Sequence, residues 1–473
     1  MQLSNYTDGF FQINSKNGFL PLKEPLKKLP IKYADIQVII DDLPRLKSDG
    51  SSGILENEGQ IEERIANLKN FSEEVKKENN PFVIQALFRA YAFLTSSYTL
   101  APAHFQQLKT NKYGKANQII PPQLAIPFTI IAKKLDVYPW LDYHYAYSLG
   151  NYVKKDKSKG MDWENLDMAV KFSGMPDERG FIMLHVDINQ YSPNLIKGVF
   201  ETLKMIESNR FEDSKISKKI AISYNAMKNI NSRRKLMWEA SRWKNYNDFR
   251  VFIMGIKGNE EIFNEGVYFQ GVDKKPHQYR GQTGAQDNII PTMDIFSGVI
   301  NFYPTNELTK YLIDLRSYRP VCVQRFFQDL RTEIQQTHKD GIVGALNKNK
   351  CYESMVYVLG ILEEIYFFRN GHWQFVQMYI MRNTTYNKAT GGTPIISWIP
   401  NQMMAVLDAM EYCAGLLDGK SDHQLFYKIK KGLNAKKQLL IDQLEILKKD
   451  TFDPKKVYNL NNDKIAKKFK DLL

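Results

Sequence analysis

The segment Ile365–Ile396, IYFFRNGHWQFVQMYIMRNTTYNKATGGTPII, constrains the chain more than any other, because it sets a histidine into an apolar helical stripe and then breaks the helix at paired glycines. Phe368, His372, Val376 and Tyr379 recur at steps of three and four, so a helix through them turns all four side chains to one face. Gly371 removes a side chain beside His372, where a flat ligand would approach the helix, and Arg369 lies one turn earlier on nearly the same face. Two readings follow. A lone histidine on such a face is most often a core residue with one ring nitrogen satisfied. The same geometry also suits an axial imidazole ligand for haem iron, with an arginine for a haem propionate.

Charge and composition narrow the classes. The net charge of +13 suggests nucleic acid at first sight, but residues 420–473 alone hold fourteen lysines against seven acidic residues. These lysines alternate with acids in the manner of a solvated helix, and no nucleic-acid module is legible, so no nucleic-acid partner is expected. Cys322, Cys351 and Cys413 are odd in number and show no metal or redox spacing, which fits a reduced, cytoplasmic setting. The amino terminus has neither a basic n-region nor an apolar h-region, so secretion is not expected. The most apolar early run, Phe82–Leu100, carries Gln85, Arg89, Thr95, Ser96 and Ser97, and reads as a buried helix rather than a membrane span.

In order, the chain starts with a proline-punctuated lead-in around GFLPLKEPLKKLP. Residues 58–77 read as one exposed helix, acidic first and lysine-rich last. Pro81 opens the buried helix and Pro102 closes it. The charged stretch Lys154–Met168 reads as a linker. This divides the chain into a small helical region (1–158), a larger one (159–412) and a basic helical extension (413–473). In the extension, Asn434–Lys449 reads as an amphipathic helix whose Leu440, Leu444 and Leu447 form an apolar stripe fit for packing or for an oligomer contact.

Several motifs, FFRNGHWQFVQMYI with ATGGTPII, NDFRVFIMGIKGN, RGQTGAQDNIIPTMDIF, GFIMLH and PPQLAIPF among them, resemble the indoleamine dioxygenase family of haem enzymes. The resemblance implies an all-α, two-domain haem-binding fold, with haem b and O2 as cofactor and co-substrate, and a small indole as substrate. Residue by residue, it places His372 as proximal iron ligand, Arg369 near the haem, and Asp294 as the hydrogen-bond partner of His372. Thr283 and Gly284 edge the haem. Phe181 and His185 lie on the opposite, distal side, Arg250 holds the substrate carboxylate, and Tyr246 and Thr390 border the substrate. The turn Ala389–Thr393 closes the site.

Two departures stand out. His185 occupies a position that is serine in the animal indoleamine dioxygenases, and resembles the distal histidine of tryptophan dioxygenases. Asn245 and Tyr246 replace two aromatic residues and would make that wall more polar. The expected activity is insertion of O2 into the indole ring of tryptophan. An oxygenase or ring-rearranging enzyme acting on another aromatic amino acid in secondary metabolism, and a non-catalytic haem sensor or carrier, remain as alternatives.

Overall fold

The computed structural model describes residues 6–381, 386, 388–392 and 395–450. It is all-helical, with five strands of only two or three residues among the described residues. The helices that carry the site are, in chain order, α1 (Pro81–Thr110), α2 (Pro122–Leu135), α3 (Pro176–Asn189), α4 (Ser192–Glu207), α5 (Asp213–Arg234), α6 (Ile289–Ser297), α7 (Tyr352–Phe375), α8 (Ile395–Leu417) and α9 (Gln424–Asp450).

Helix α1 starts where the sequence places it, with Pro81 in the first turn and the Asn80 side chain accepting from the Phe82 amide at 3.0 Å. It does not end at Pro102. Proline has no N–H for the Tyr98 carbonyl four residues back, but the Asn117 side-chain amide donates to that oxygen at 2.9 Å and replaces the missing bond. The helix therefore runs on to Asn111, whose left-handed backbone (φ 58°) caps it. Two of its buried side chains donate to other segments: Gln85 Nε2 to the carbonyls of Tyr145 and Gly150, and Arg89 Nη1 to that of Gly150. Among the described residues no helix is long and apolar enough to cross a membrane.

The single exposed helix expected over 58–77 is instead two short ones, Gln60–Ala66 and Ser72–Lys77. Asn67 turns its side chain back onto the Glu63 carbonyl, and Asn70 accepts from the Ser72 amide, so two asparagines end one helix and start the next. Ile61, Ile65, Phe71 and Val75 are buried. The expected linker at 154–168 is likewise anchored. Strands Tyr152–Lys154 and Leu166–Met168 pair antiparallel, and the Trp163 amide donates to Asp187 of α3 at 2.8 Å.

In the second half, α7 packs between α5 and α8, and α4 backs α5. Helix α9 lies across α7 and α8, and its lysines meet acids there: Lys436 pairs with Glu363, and Lys437 with Glu411 and Asp408. The basic character of this helix is thus partly a packing feature. Residues 451–473, the rest of the extension, lie outside the described residues.

Candidate functional site: a histidine-floored apolar cavity

Helix α7 does not stop at Phe375 but passes into a π-helical turn, Val376–Met381. The extra residue in that turn rotates the following side chains, so Val376, Tyr379 and Ile380 all join His372 on the wall of one cavity. Phe181 and His185 of α3 line it as well, together with Thr283, Gly284 and Thr390. The cavity with its mouth holds about 1120 Å³ of non-atom space, part of it open to solvent. Of the residues singled out from the sequence, His372, Phe181, His185, Tyr246, Thr283, Gly284 and Thr390 all line this one cavity.

His372 has no hydrogen-bond partner among the described residues. Burial is the main reason its pKa is pulled down to about 4, with His185 and Arg234 adding to the effect, so the imidazole is neutral and has a free nitrogen lone pair at physiological pH. Its expected partner is elsewhere. Asp294 Oδ2 accepts from Arg369 Nη2 at 2.6 Å and from the Tyr303 hydroxyl, and Arg369 in turn donates to Tyr303 at 2.9 Å. Arg369 points back along α7 as helical side chains do, and meets Asp294 away from the cavity wall. The Asp294–His372 bond and the cavity-facing Arg369 are thus both corrected by one closed, buried ion pair. Burial raises the Asp294 pKa, and Arg369 and Tyr303 oppose that rise.

Gly371 also has a different use from the one its position suggests. A Cβ there would lie 1.8 Å from Arg234 Nη1, so the glycine makes room for an arginine side chain rather than directly for a ligand.

Within the cavity wall the rings of Phe181 and His185 meet edge-on at 5.5 Å. His185 Nδ1 lies 2.9 Å from the Phe181 carbonyl, which can only accept, so Nδ1 carries the proton and Nε2 is left as an acceptor. Burial lowers the His185 pKa, against the pull of the Phe181 carbonyl and Asp287. Tyr246 packs on Phe181 at 5.1 Å, as a wall residue should. Asn245 does not contribute polarity to that wall, because its side chain donates to Asp177 at 2.8 Å.

Arg250 is fully buried but lies behind the cavity wall. Its Nη2 donates to the Lys388 carbonyl at 2.7 Å and Nη1 to the Tyr113 hydroxyl at 3.4 Å, so no carboxylate faces it among the described residues. The segment that covers it is docked by glycines. Gly392 (φ 80°) and Gly258 (φ 86°) lie backbone against backbone, and a Cβ on Gly392 would stand 2.0 Å from the Lys257 carbonyl. Thr390 reinforces the contact: its hydroxyl donates to Gln282 and its carbonyl accepts from Gly255, each at 2.8 Å. Thr393 and most of the stretch between Ile380 and Ala389 lie outside the described residues.

Two charged cavity residues escaped the sequence reading. Asp287 accepts from Tyr143 and Asn189 at 2.7 Å each and reaches the wall beside His185. Arg234 ends α5, a helix that reads as charged scaffold. Its signal was legible, since Ile216, Ile220, Ser223, Met227, Ile230 and Arg234 recur at steps of three and four and are all buried.

The family profile described as "Indoleamine 2,3-dioxygenase" matches residues 8–411, which includes every cavity residue named above. Indoleamine 2,3-dioxygenase 1 of Rattus norvegicus is 23% identical over 415 residues, covering 82% of this chain and 92% of the relative. Indoleamine 2,3-dioxygenase 2 of Homo sapiens is 23% identical over 356 residues (73% and 79%), and indoleamine 2,3-dioxygenase acdA of Aspergillus candidus 23% over 332 residues (67% and 76%). With its helical fold, its cavity and this match along most of its length, the chain belongs to the indoleamine 2,3-dioxygenase family and is an oxygenase enzyme of that type.

Proposed function

We propose that the protein binds haem b through His372 and uses it to insert O2 into the indole ring of tryptophan or a close relative. The observation that carries this reading is the neutral, unpartnered His372 in the wall of a mostly apolar cavity that His185 and Phe181 also line. Among the described residues no group of three or more His, Cys, Asp or Glu is placed to hold a metal. A metal bound at His372 would therefore take its other ligands from a cofactor, and a flat, largely apolar macrocycle suits these walls. Haem bound there supplies a ferrous centre at which O2 is activated.

The chain's own part is to orient the substrate and exclude water. Phe181 and Tyr246 offer faces for an indole, and His185 Nε2 accepts its N–H. Arg250 takes the substrate carboxylate once the Lys388 carbonyl is displaced, since a guanidinium holds a carboxylate by two parallel bonds and stays charged when buried. In the overall reaction the indole C2–C3 bond breaks and each carbon gains one oxygen atom, so no external reductant is consumed. One observation favours a second reading, a more polar aromatic amino acid as substrate: the carboxylate of Asp287 on the wall beside His185.

The test is aerobic incubation of the ferrous protein with tryptophan under isotopically heavy O2, read by mass spectrometry. Both labelled atoms in one ring-opened product support the proposal. Haem-loaded protein that leaves tryptophan intact while converting a hydroxylated analogue would replace it with the second reading.

A further inference from the structure

Arg234 is the only arginine or lysine among the described residues that line the cavity. It is 8% exposed, with its guanidinium seated in the notch left by Gly371 and flanked by the rings of Phe368 and Phe375 at 5.7 and 5.5 Å. Its hydrogen-bond partners are neutral. Nε donates to Asn231 Oδ1 and Nη2 to the Phe367 carbonyl, each at 3.3 Å. Glu364 is reached only indirectly, since Asn231 donates to its Oε2 at 2.8 Å. Burial lowers the arginine's pKa to about 10, which leaves it charged at neutral pH.

A buried cation without a carboxylate partner is costly, and it is stabilised when something supplies the anion. The other buried arginines near the site are already engaged: Arg280 pairs with Asp314, and Arg319 donates to the carbonyls of Leu315, Ala285 and Asp287. Arg369 is paired with Asp294, and Arg250 is covered by the Lys388 carbonyl; neither lines the cavity. We infer that Arg234 is an anion-recognition residue on the His372 side of the cavity, pairing with a carboxylate of the cofactor seated against His372. The inference rests on the haem reading, and Gly371 is the residue that admits the arginine.

The experiment titrates apoprotein with haemin and with haemin dimethyl ester, which lacks both carboxylates, and reads the Soret band. Wild type should bind the diacid at least tenfold more tightly than the diester. Arg234→Met should lose most of that preference by weakening the diacid while leaving the diester nearly unchanged, and Arg234→Lys should fall between. Gly371→Ala keeps the charge but pushes the guanidinium out of its notch, and should reduce the preference as well; it replaces Arg234→Met if that variant does not fold. An unchanged diacid preference in Arg234→Met, or in Gly371→Ala as its replacement, overturns the inference and leaves haem binding intact. If neither form of haemin binds wild type, the haem reading fails and this one with it.

Discussion

Replacing Asp294 by leucine removes the carboxylate that two buried donors share. Arg369 and Asp294 have side chains 5% and 3% exposed, and the charge left on Arg369 would keep only the Tyr303 hydroxyl and a long 3.5 Å contact to the Gln402 carbonyl. Breaking a buried pair on one side costs about 3–5 kcal/mol, because the remaining charge stays desolvated. Removing both charges is far milder. Asp294→Leu and Arg369→Met should therefore each destabilise the apoprotein strongly, while the double variant should recover most of the loss. Urea unfolding followed by circular dichroism gives the coupling energy from the four proteins, with an expected magnitude of roughly 2 kcal/mol or more. Since neither side chain reaches the cavity wall, the double variant should also keep its cofactor. If the single losses add to within about 0.5 kcal/mol, the pair is not a closed unit and the reasoning is wrong.

Arg250→Met should weaken tryptophan binding by about 2–5 kcal/mol while leaving tryptamine, which lacks the carboxylate, nearly unaffected; equal losses measured by spectral titration would exclude the clamp. His185→Ser should lower turnover about tenfold without abolishing it, as expected for one neutral hydrogen bond of about 0.5–1.5 kcal/mol, and should improve tryptophan methylated on the indole nitrogen relative to tryptophan itself. A substrate ratio that stays constant in steady-state assays would separate His185 from the indole nitrogen. Acid should destabilise the apoprotein through its buried histidines. His104, whose two ring nitrogens have no partner among the described residues, is pulled down to about 4 by burial with a smaller push from Arg45. A depressed folded pKa contributes stability above the unfolded value near 6.5, and this is lost as pH falls towards 4, on the order of 3 kcal/mol. His104→Leu should flatten the fall in Tm over that window; an unchanged slope would show that His104 does not titrate there.

The sequence carried the site further than it carried element boundaries. Stripes of three and four residues put His372 with Tyr379, and Phe181 with His185, on shared faces, because helical spacing is a local property. What it misplaced depends on partners distant in the chain. Pro102 fails to end α1 because Asn117 supplies the missing donor, and Arg369 turns from the cavity because Asp294, 75 residues away, meets it. Gly371 was marked as a place where a flat ligand could approach, but the side chain that fills the notch is Arg234, from a helix over 130 residues earlier in the chain. Asp287 was invisible for a related reason: Tyr143 and Asn189, which hold it beside His185, come from two other segments.

The central claim is that His372 holds the cofactor in this cavity. The direct measurement is haem uptake by His372→Gly apoprotein, followed by Soret absorption with and without added imidazole. The variant should fold, bind haem weakly or not at all, and recover a wild-type-like ferrous spectrum when imidazole fills the space left by the side chain. A wild-type spectrum without imidazole would place the iron on another ligand and contradict the account.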